Sequence, residues 1–274
     1  MKMKTINLLH WEEFEGHVAH LMDEHAKRKL GTSNYISDYL FRGQANSSWP
    51  LITTLERYPN HPLRMVDYYR VVHNTKAQVE TLTESAWPIP SVNEFTQIIE
   101  KPGFFFAEGN FLAYEYFVYL RHHGFPSPLL DWTASPYVAA YFAFRDIWSD
   151  ASNVSIYVYR EWARGIKSGS LNNAEITGLG PNVRSHRRHF HQQSQYTICT
   201  IQRDGQYYYA PHEDVFAENS EGQDELLKFN IPIHEKHKVL AKLNQYNINA
   251  LSLFGSEESL LETLALREIF LKRP

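Results

Sequence analysis

The sequence predicts an α+β fold: a central, mostly antiparallel sheet with inserted and flanking helices. Three observations carry that expectation. Strand-like alternation occurs around FRGQ, residues 41–44, and again only from 153 onward, so strands must pair over long sequence distances. Between and beyond these runs, apolar residues recur at helical spacing. With 274 residues, 43% hydrophobic and 14% aromatic, the chain can bury one large core. We read residues 1–274 as a single domain with a helical insert at about 60–120.

In chain order, Trp11, Phe14, Val18, Leu21 and Met22 share one helical face, with Glu12, Glu13, Glu15 and His17 opposite, so the first element is an amphipathic helix. The segment SDYLFRGQ follows as a strand, with Tyr39 and Phe41 on one face and Leu40 and Arg42 on the other. A guanidinium on an inward face, followed at once by a glycine, demands a reason. From 62 to 120, three helices are expected on Met65, Tyr69 and Val72, on Phe95, Ile98 and Ile99, and on Phe111 to Leu120; the loop WPIPS, 87–91, separates the first two. Gly124 ends the third helix, and Pro126 and Pro128 prevent its resumption. Ser135-Pro136 reads as an N-cap with proline at the first helical position, which leaves LLDWTA, 129–134, as a short connector between two buried helices. Four strands are then expected in NVSIYVYR (153–160), QYTICTI (195–201), QYYYA (206–210) and LLKFNIPI (226–233). Val239, Leu240, Leu243 and Tyr246 define one more helix, and 258–270 another with Leu260, Leu261 and Leu264 on its buried face. No internal repeat is visible.

Composition narrows the function. A net charge of -4 argues against a globally basic nucleic-acid binder, so any polyanion has to be met locally. The single cysteine, Cys199, excludes an internal disulfide framework and a thiolate zinc cluster, which fits a reducing compartment; a cytoplasmic protein is expected. MKMKTINLLHWEEF has no signal-peptide apolar region, and YVAAYFAF at 137–144 falls short of the roughly 20 residues of a membrane helix. No membrane association is expected. GLGPNV at 178 lacks the dinucleotide glycine pattern, HEKH at 234–237 misses the zincin spacing, and no nucleophile elbow occurs. No metal is expected.

Two segments concentrate chemistry. RSHRRHFHQQSQYT, 184–197, carries Arg184, Arg187 and Arg188 with three histidines, suited to phosphate contact, or else simply a solvated basic loop. In RHHGFPSPLLDWTASPYVAAYFAF, 121–144, Asp131 is flanked by Leu129, Leu130 and Trp132 and reads as buried, and a buried carboxylate needs a cation. Arg42 is its natural partner. Either the two form a structural ion pair, or they line a cleft in which Arg42 meets a phosphate or ribose, Asp131 orients it, and Trp132 or Tyr141 stacks on a ring. Gly43 would then let a ligand approach the backbone.

The order YLFRGQ, HHGFPSPLLDWTASP, RRHFHQQSQYT, NINALSLFGS resembles the FRG domain, a family named for its Phe-Arg-Gly motif, from the first helix to the last. The resemblance rests on Phe41 to Gln44, His122 to Gly124, Leu129 to Thr133, Ser135, Pro136, Arg188, Gln192 and Gln193. Arg121 stands where that family has a glutamine, Ser127-Pro128 replaces Thr-Arg, and Ser194 replaces a glycine. Such domains occur in bacteria and phages, in settings that suggest defence or toxin activity. The motif order is also similar to that of ADP-ribosyltransferases, which implies an ADP-ribosyltransferase-like fold and NAD as co-substrate. On that likeness Arg42 and Gly43 form the first motif, Tyr141, Phe142 and Ala143 the second, and Gln193 or Gln195 the third. It implies catalytic roles for Arg42, His123, Asp131 and Gln193, and NAD contacts from Arg42, Gly43, Gln44, Trp132 and Tyr141. A nucleic-acid acceptor guided by Arg184, Arg187 and Arg188 and an operon-encoded protein partner are the partners implied. The third strand offers no glutamate to stabilise an oxocarbenium-like transition state, so Asp131 or Glu213 has to enter the cleft. The alternatives are a noncatalytic nucleotide or nucleic-acid binding module and a protein-interaction domain of a defence system.

Overall fold

The computed structural model describes residues 3–31, 35–61, 63–101, 104, 109, 111–146, 150–162, 173–184, 186–217 and 224–272. Its elements run β1 (Lys4–Asn7), α1 (Trp11–Gly31), β2 (Leu40–Gln44), α2 (Met65–Thr83), α3 (Val92–Ile99), α4 (Tyr114–His122), β3 (Leu130–Thr133), α5 (Pro136–Phe144), β4 (Asn153–Arg160), β5 (Glu175–Gly178), α6 (Arg187–His191), β6 (Ser194–Arg203), β7 (Gln206–Tyr209), α7 (Asp214–Ala217), β8 (Glu225–Pro232), α8 (Lys236–Gln245), α9 (Ala250–Phe254) and α10 (Glu257–Ala265). The architecture is mixed, with a central, mostly antiparallel sheet in the order β1-β8-β4-β2-β3-β6-β5 and β7 paired to β6. The β1–β8 pair is parallel; the other pairings are antiparallel.

LLDWTA is not a connector. Residues 130–133 form β3, in the middle of the sheet between β2 and β6. Four residues carry too little alternation to announce a strand, and the partner that satisfies them, β6, lies more than sixty residues downstream, with Leu130 opposite Thr197 and Thr133 opposite Ser194. The cap expected at Ser135 does form: its side chain accepts from the Val138 N–H at 3.3 Å, with Pro136 in the first turn.

Register fixes the faces. Phe41 opposite Thr133 and Val158 puts Tyr39, Phe41 and Gly43 on the face that carries Asp131, Thr133, Ile156 and Val158. Over the β1-β8-β4-β2 half, that face packs against α1, α5, α8 and α9 around Phe14, Phe41, Ala139, Phe229 and Leu243. Over the β3-β6 half, it packs against α2, α3 and α4 around Tyr68, Phe95, Phe117, Tyr196 and Ile198. The opposite face buries Leu51, Trp132, Tyr157, Tyr159 and Phe216, and Leu40 packs there too. The helix α5 is apolar almost all round and correspondingly buried, with Val138, Ala140, Tyr141 and Phe144 inside.

The buried face expected for the last helix is reversed. Leu260, Leu261 and Leu264 are 40%, 65% and 41% exposed, while Ser259 and Thr263 are buried. Polar docking decides the rotation: the Thr263 hydroxyl accepts from the Leu251 N–H at 2.9 Å and donates to the Ser259 carbonyl at 2.8 Å. Met22, expected on the inner face of α1, is also exposed.

Candidate anion-binding pocket

Adjacent strands β2 and β3 share one register pair, Phe41 with Thr133. An unbroken ladder would set Gly43 opposite Asp131. Instead the Arg42 side chain crosses the gap, and its Nη1–H donates to the Asp131 carbonyl at 2.7 Å, so a guanidinium does what a strand N–H would otherwise do. A cavity of about 670 Å³ opens at this fork. Its walls come from β2, β3, α4, α5, α6, β6, the end of α9 and the segment after β2.

Among the described residues, four guanidinium groups line the cavity, those of Arg42, Arg57, Arg121 and Arg188, against a single carboxylate, Asp131. Arg121 takes that carboxylate directly, while Arg42 stands 4.0 Å from it. The expected Arg42–Asp131 pairing is therefore direct to the carbonyl and looser to the carboxylate, to which the neighbouring helix supplies a closer cation. Nor is Asp131 fully buried: its side chain is 35% exposed, toward the cavity. Arg188 donates to the His122 carbonyl and, at 3.5 Å, to His122 Nδ1, both neutral acceptors. Arg57 is exposed and makes no hydrogen bond or ion pair among the described residues. Burial lowers Arg42 to a pKa of about 10, so it remains a cation at neutral pH.

The histidine in this cavity is His122, not His123. His122 Nε2 lies 2.6 Å from the Tyr196 hydroxyl, and burial followed by the Arg188 charge lowers its pKa to about 4. His123 caps α4 with its ring exposed against Tyr119, outside the cavity lining. The helix ends between the two, so consecutive side chains leave in different directions.

Tyr141 does not face the cavity. Its ring is buried beside α10, and its hydroxyl donates to Glu262 at 2.9 Å; the neighbouring Phe142 lines the cavity instead. Trp132 contributes to the wall, yet its indole is committed to the core, donating to Thr197 Oγ1 at 2.8 Å and tilted against Tyr159. Gln44 lines the cavity with its amide donating to the Pro50 carbonyl at 3.2 Å.

Gly43 answers to packing. A Cβ there would collide with the Ala139 carbonyl of α5 and lie 2.6 Å from the Ala143 N. The helix backbone occupies the space that a side chain would need, while the Gly43 backbone lines the cavity.

Gln193 is exposed in the left-handed region at φ +49°. Its carbonyl accepts from the Ala134 N–H at 3.0 Å, and the Gln192 carbonyl accepts from the Thr133 hydroxyl at 2.7 Å, which clamps the α6–β6 turn onto the end of β3. The cavity takes Gln192, whose amide reaches the Leu253 carbonyl at 3.1 Å. Of the three basic-loop arginines, Arg188 lines the cavity while Arg184 and Arg187 are exposed outside it. Glu213 accepts from the Leu51 N–H at 2.8 Å and is not among the lining residues.

Sequence reasoning missed Arg57 and Arg121 as functional candidates. Arg121 was visible as a departure from the resembled motif, and a cation gained beside a carboxylate is a usable signal. Arg57, in an irregular segment, had none. Among the described residues no group of three or more His, Cys, Asp or Glu side chains could hold a metal ion, and no helix is long and apolar enough to cross a membrane.

Residues 37–152 match the family described as the FRG domain. The match runs from just before β2 to the residue before β4, and so carries Arg42, Arg57, Arg121, His122 and Asp131 but not Arg188 or Gln192. That is narrower than the resemblance read along the whole sequence. No curated protein and no solved structure matches the chain.

Proposed function

We propose that the cavity at the β2–β3 fork binds a phosphorylated nucleotide, with NAD as co-substrate of an ADP-ribosyl transfer. The observation that carries the reading is the charge imbalance: four lining guanidinium groups, one lining carboxylate, and that carboxylate held by Arg121. A cavity with unneutralised cations favours an anion, and guanidinium forks suit phosphate oxygens. Phe142, Phe254 and the half-exposed Trp49 supply an apolar wall for a ring attached to those phosphates. Motif order supports the ADP-ribosyltransferase likeness, and exposed Arg184 and Arg187 beside α6 offer a nucleic-acid acceptor a backbone contact. A toxin or defence role is what the resemblance to the FRG domain implies.

A noncatalytic nucleotide-binding module is the second reading, favoured by the engagement of Asp131 with Arg121. Calorimetric titration with NAD, ADP-ribose and nicotinamide riboside separates binding from chemistry when paired with a nicotinamide-release assay. NAD and ADP-ribose should bind and the phosphate-free riboside should not, with affinity falling as salt rises. Arg57→Ala should weaken binding about tenfold with the melting temperature unchanged, since this exposed side chain holds nothing in the fold. Nicotinamide release that Asp131→Asn abolishes while NAD still binds supports cleavage of the glycosidic bond, and transfer rather than hydrolysis requires the ADP-ribosyl group to be recovered on an acceptor. Binding without release, with and without single-stranded DNA or RNA, favours the binding module, and equal affinity for all three ligands removes the nucleotide reading.

A further inference from the structure

Behind Arg188 lies a chain of hydrogen bonds whose direction is fixed by its last member. The Pro181 carbonyl can only accept, so His189 Nε2, 3.0 Å away, carries the proton. A neutral His189 then presents a bare Nδ1, which accepts from the Tyr196 hydroxyl at 3.2 Å. Having donated, that hydroxyl accepts from His122 Nε2 at 2.6 Å. His122 Nδ1 is left bare, and the Arg188 Nε–H points at it from 3.5 Å. With both imidazoles neutral, one assignment satisfies all four contacts. Protonating His122 would set a ring N–H against the Arg188 Nε–H, and protonating His189 would turn its Nδ1 into a donor to Tyr196 and release the hydroxyl proton from the chain. The lowered pKa of both rings agrees with the neutral forms.

We propose that His189, Tyr196 and His122 form a positioning relay that locks His122 in its Nε2–H tautomer and thereby aims the Arg188 guanidinium into the cavity. His189 is buried and outside the cavity lining, so its influence on a ligand runs through Tyr196 and His122. The relay extends past the FRG match, which ends before β4, and joins the helix α4 to residues contributed by α6 and β6. It rests on the reading of the cavity as an anion site, because Arg188 is aimed for the sake of an anion.

The decisive measurement is the nitrogen-15 spectrum of the imidazoles in the full chain, with His122→Gln and His189→Leu assigning the signals. Both rings should be neutral Nε2–H tautomers at neutral pH. In His189→Leu the Tyr196 hydroxyl is free to donate to His122 Nε2, so the His122 signal should shift toward the Nδ1–H form. Affinity for inorganic pyrophosphate should then fall about tenfold, the loss of roughly one hydrogen bond to a charged group. Tyr196→Phe keeps the ring, breaks the same chain, and should do the same where His189→Leu fails to fold. A mixed or Nδ1–H His122 in the unaltered protein overturns the relay, as does a folded His189→Leu or Tyr196→Phe with unchanged tautomer and affinity. Absence of pyrophosphate binding by the unaltered protein overturns the anion reading alone, and the tautomers still decide the relay.

Discussion

At the scale of single residues, the buried histidines set the response to acid. His122 and His212 have pKa values lowered from 6.5 to about 4 and about 3, each first by burial and then by a nearby arginine. Between those values and 6.5 the unfolded chain binds more protons than the folded one, so stability falls as pH drops through that window. The paired carboxylates, such as Glu262 beside Arg145, have lowered pKa values and add their losses only below about 4.5. A denaturant midpoint followed from pH 7 to 4.5 should therefore decline, and His212→Gln should remove part of the slope; a flat profile above pH 4.5 would show these rings to be solvated. The same residues show what the sequence could disclose about the site. Residue types were legible: an arginine on an inward strand face, a carboxylate among leucines, a histidine before a helix-ending glycine. Partners were not, since whether His122 or His123 enters the cavity, or Gln192 or Gln193, turns on where a helix stops and which way one peptide turns.

Among the elements, the contact between β2 and α5 is the tightest constraint near the cavity. Gly43 lets the strand lie against the Ala139–Ala143 stretch of the helix backbone, a spacing that small residues on both sides permit. Gly43→Ala should cost at least about 3 kcal/mol in urea unfolding, because backbone atoms have to give way. A stability change under about 0.5 kcal/mol would return Gly43 to the role of ligand contact. The long strands β4, β6 and β8 were legible because eight or more alternating residues declare themselves, and so was the cap at Ser135. Among the short strands, β2 and β7 were legible and three others were not. The strands β1, β3 and β5 have four residues each and are specified by the neighbours they pair with. The reversed face of α10 has a related cause, since two buried hydroxyls outweigh a leucine stripe once they are given backbone partners.

For the whole molecule, the cavity lies where the two halves of one sheet face meet, between the core under α5 and the core under α2, α3 and α4. A ligand bound there, as proposed, would touch both. At a hundredfold excess over its dissociation constant it should add about 2.7 kcal/mol to unfolding. Amide exchange should then slow in β4 and β8 as well as in β6, whereas protection confined to one half would show the halves opening independently. The crossing at Arg42 has a further consequence. The Arg42 guanidinium that lines the cavity is also the clasp that keeps β3 beside β2, because its Nη1–H occupies the Asp131 carbonyl. An anion that drew that donor away would unfasten the middle of the sheet, whereas one met by the Arg42 Nε–H, unpartnered among the described residues, would leave the clasp closed, so the orientation of a ligand at Arg42 would decide whether the backbone moves.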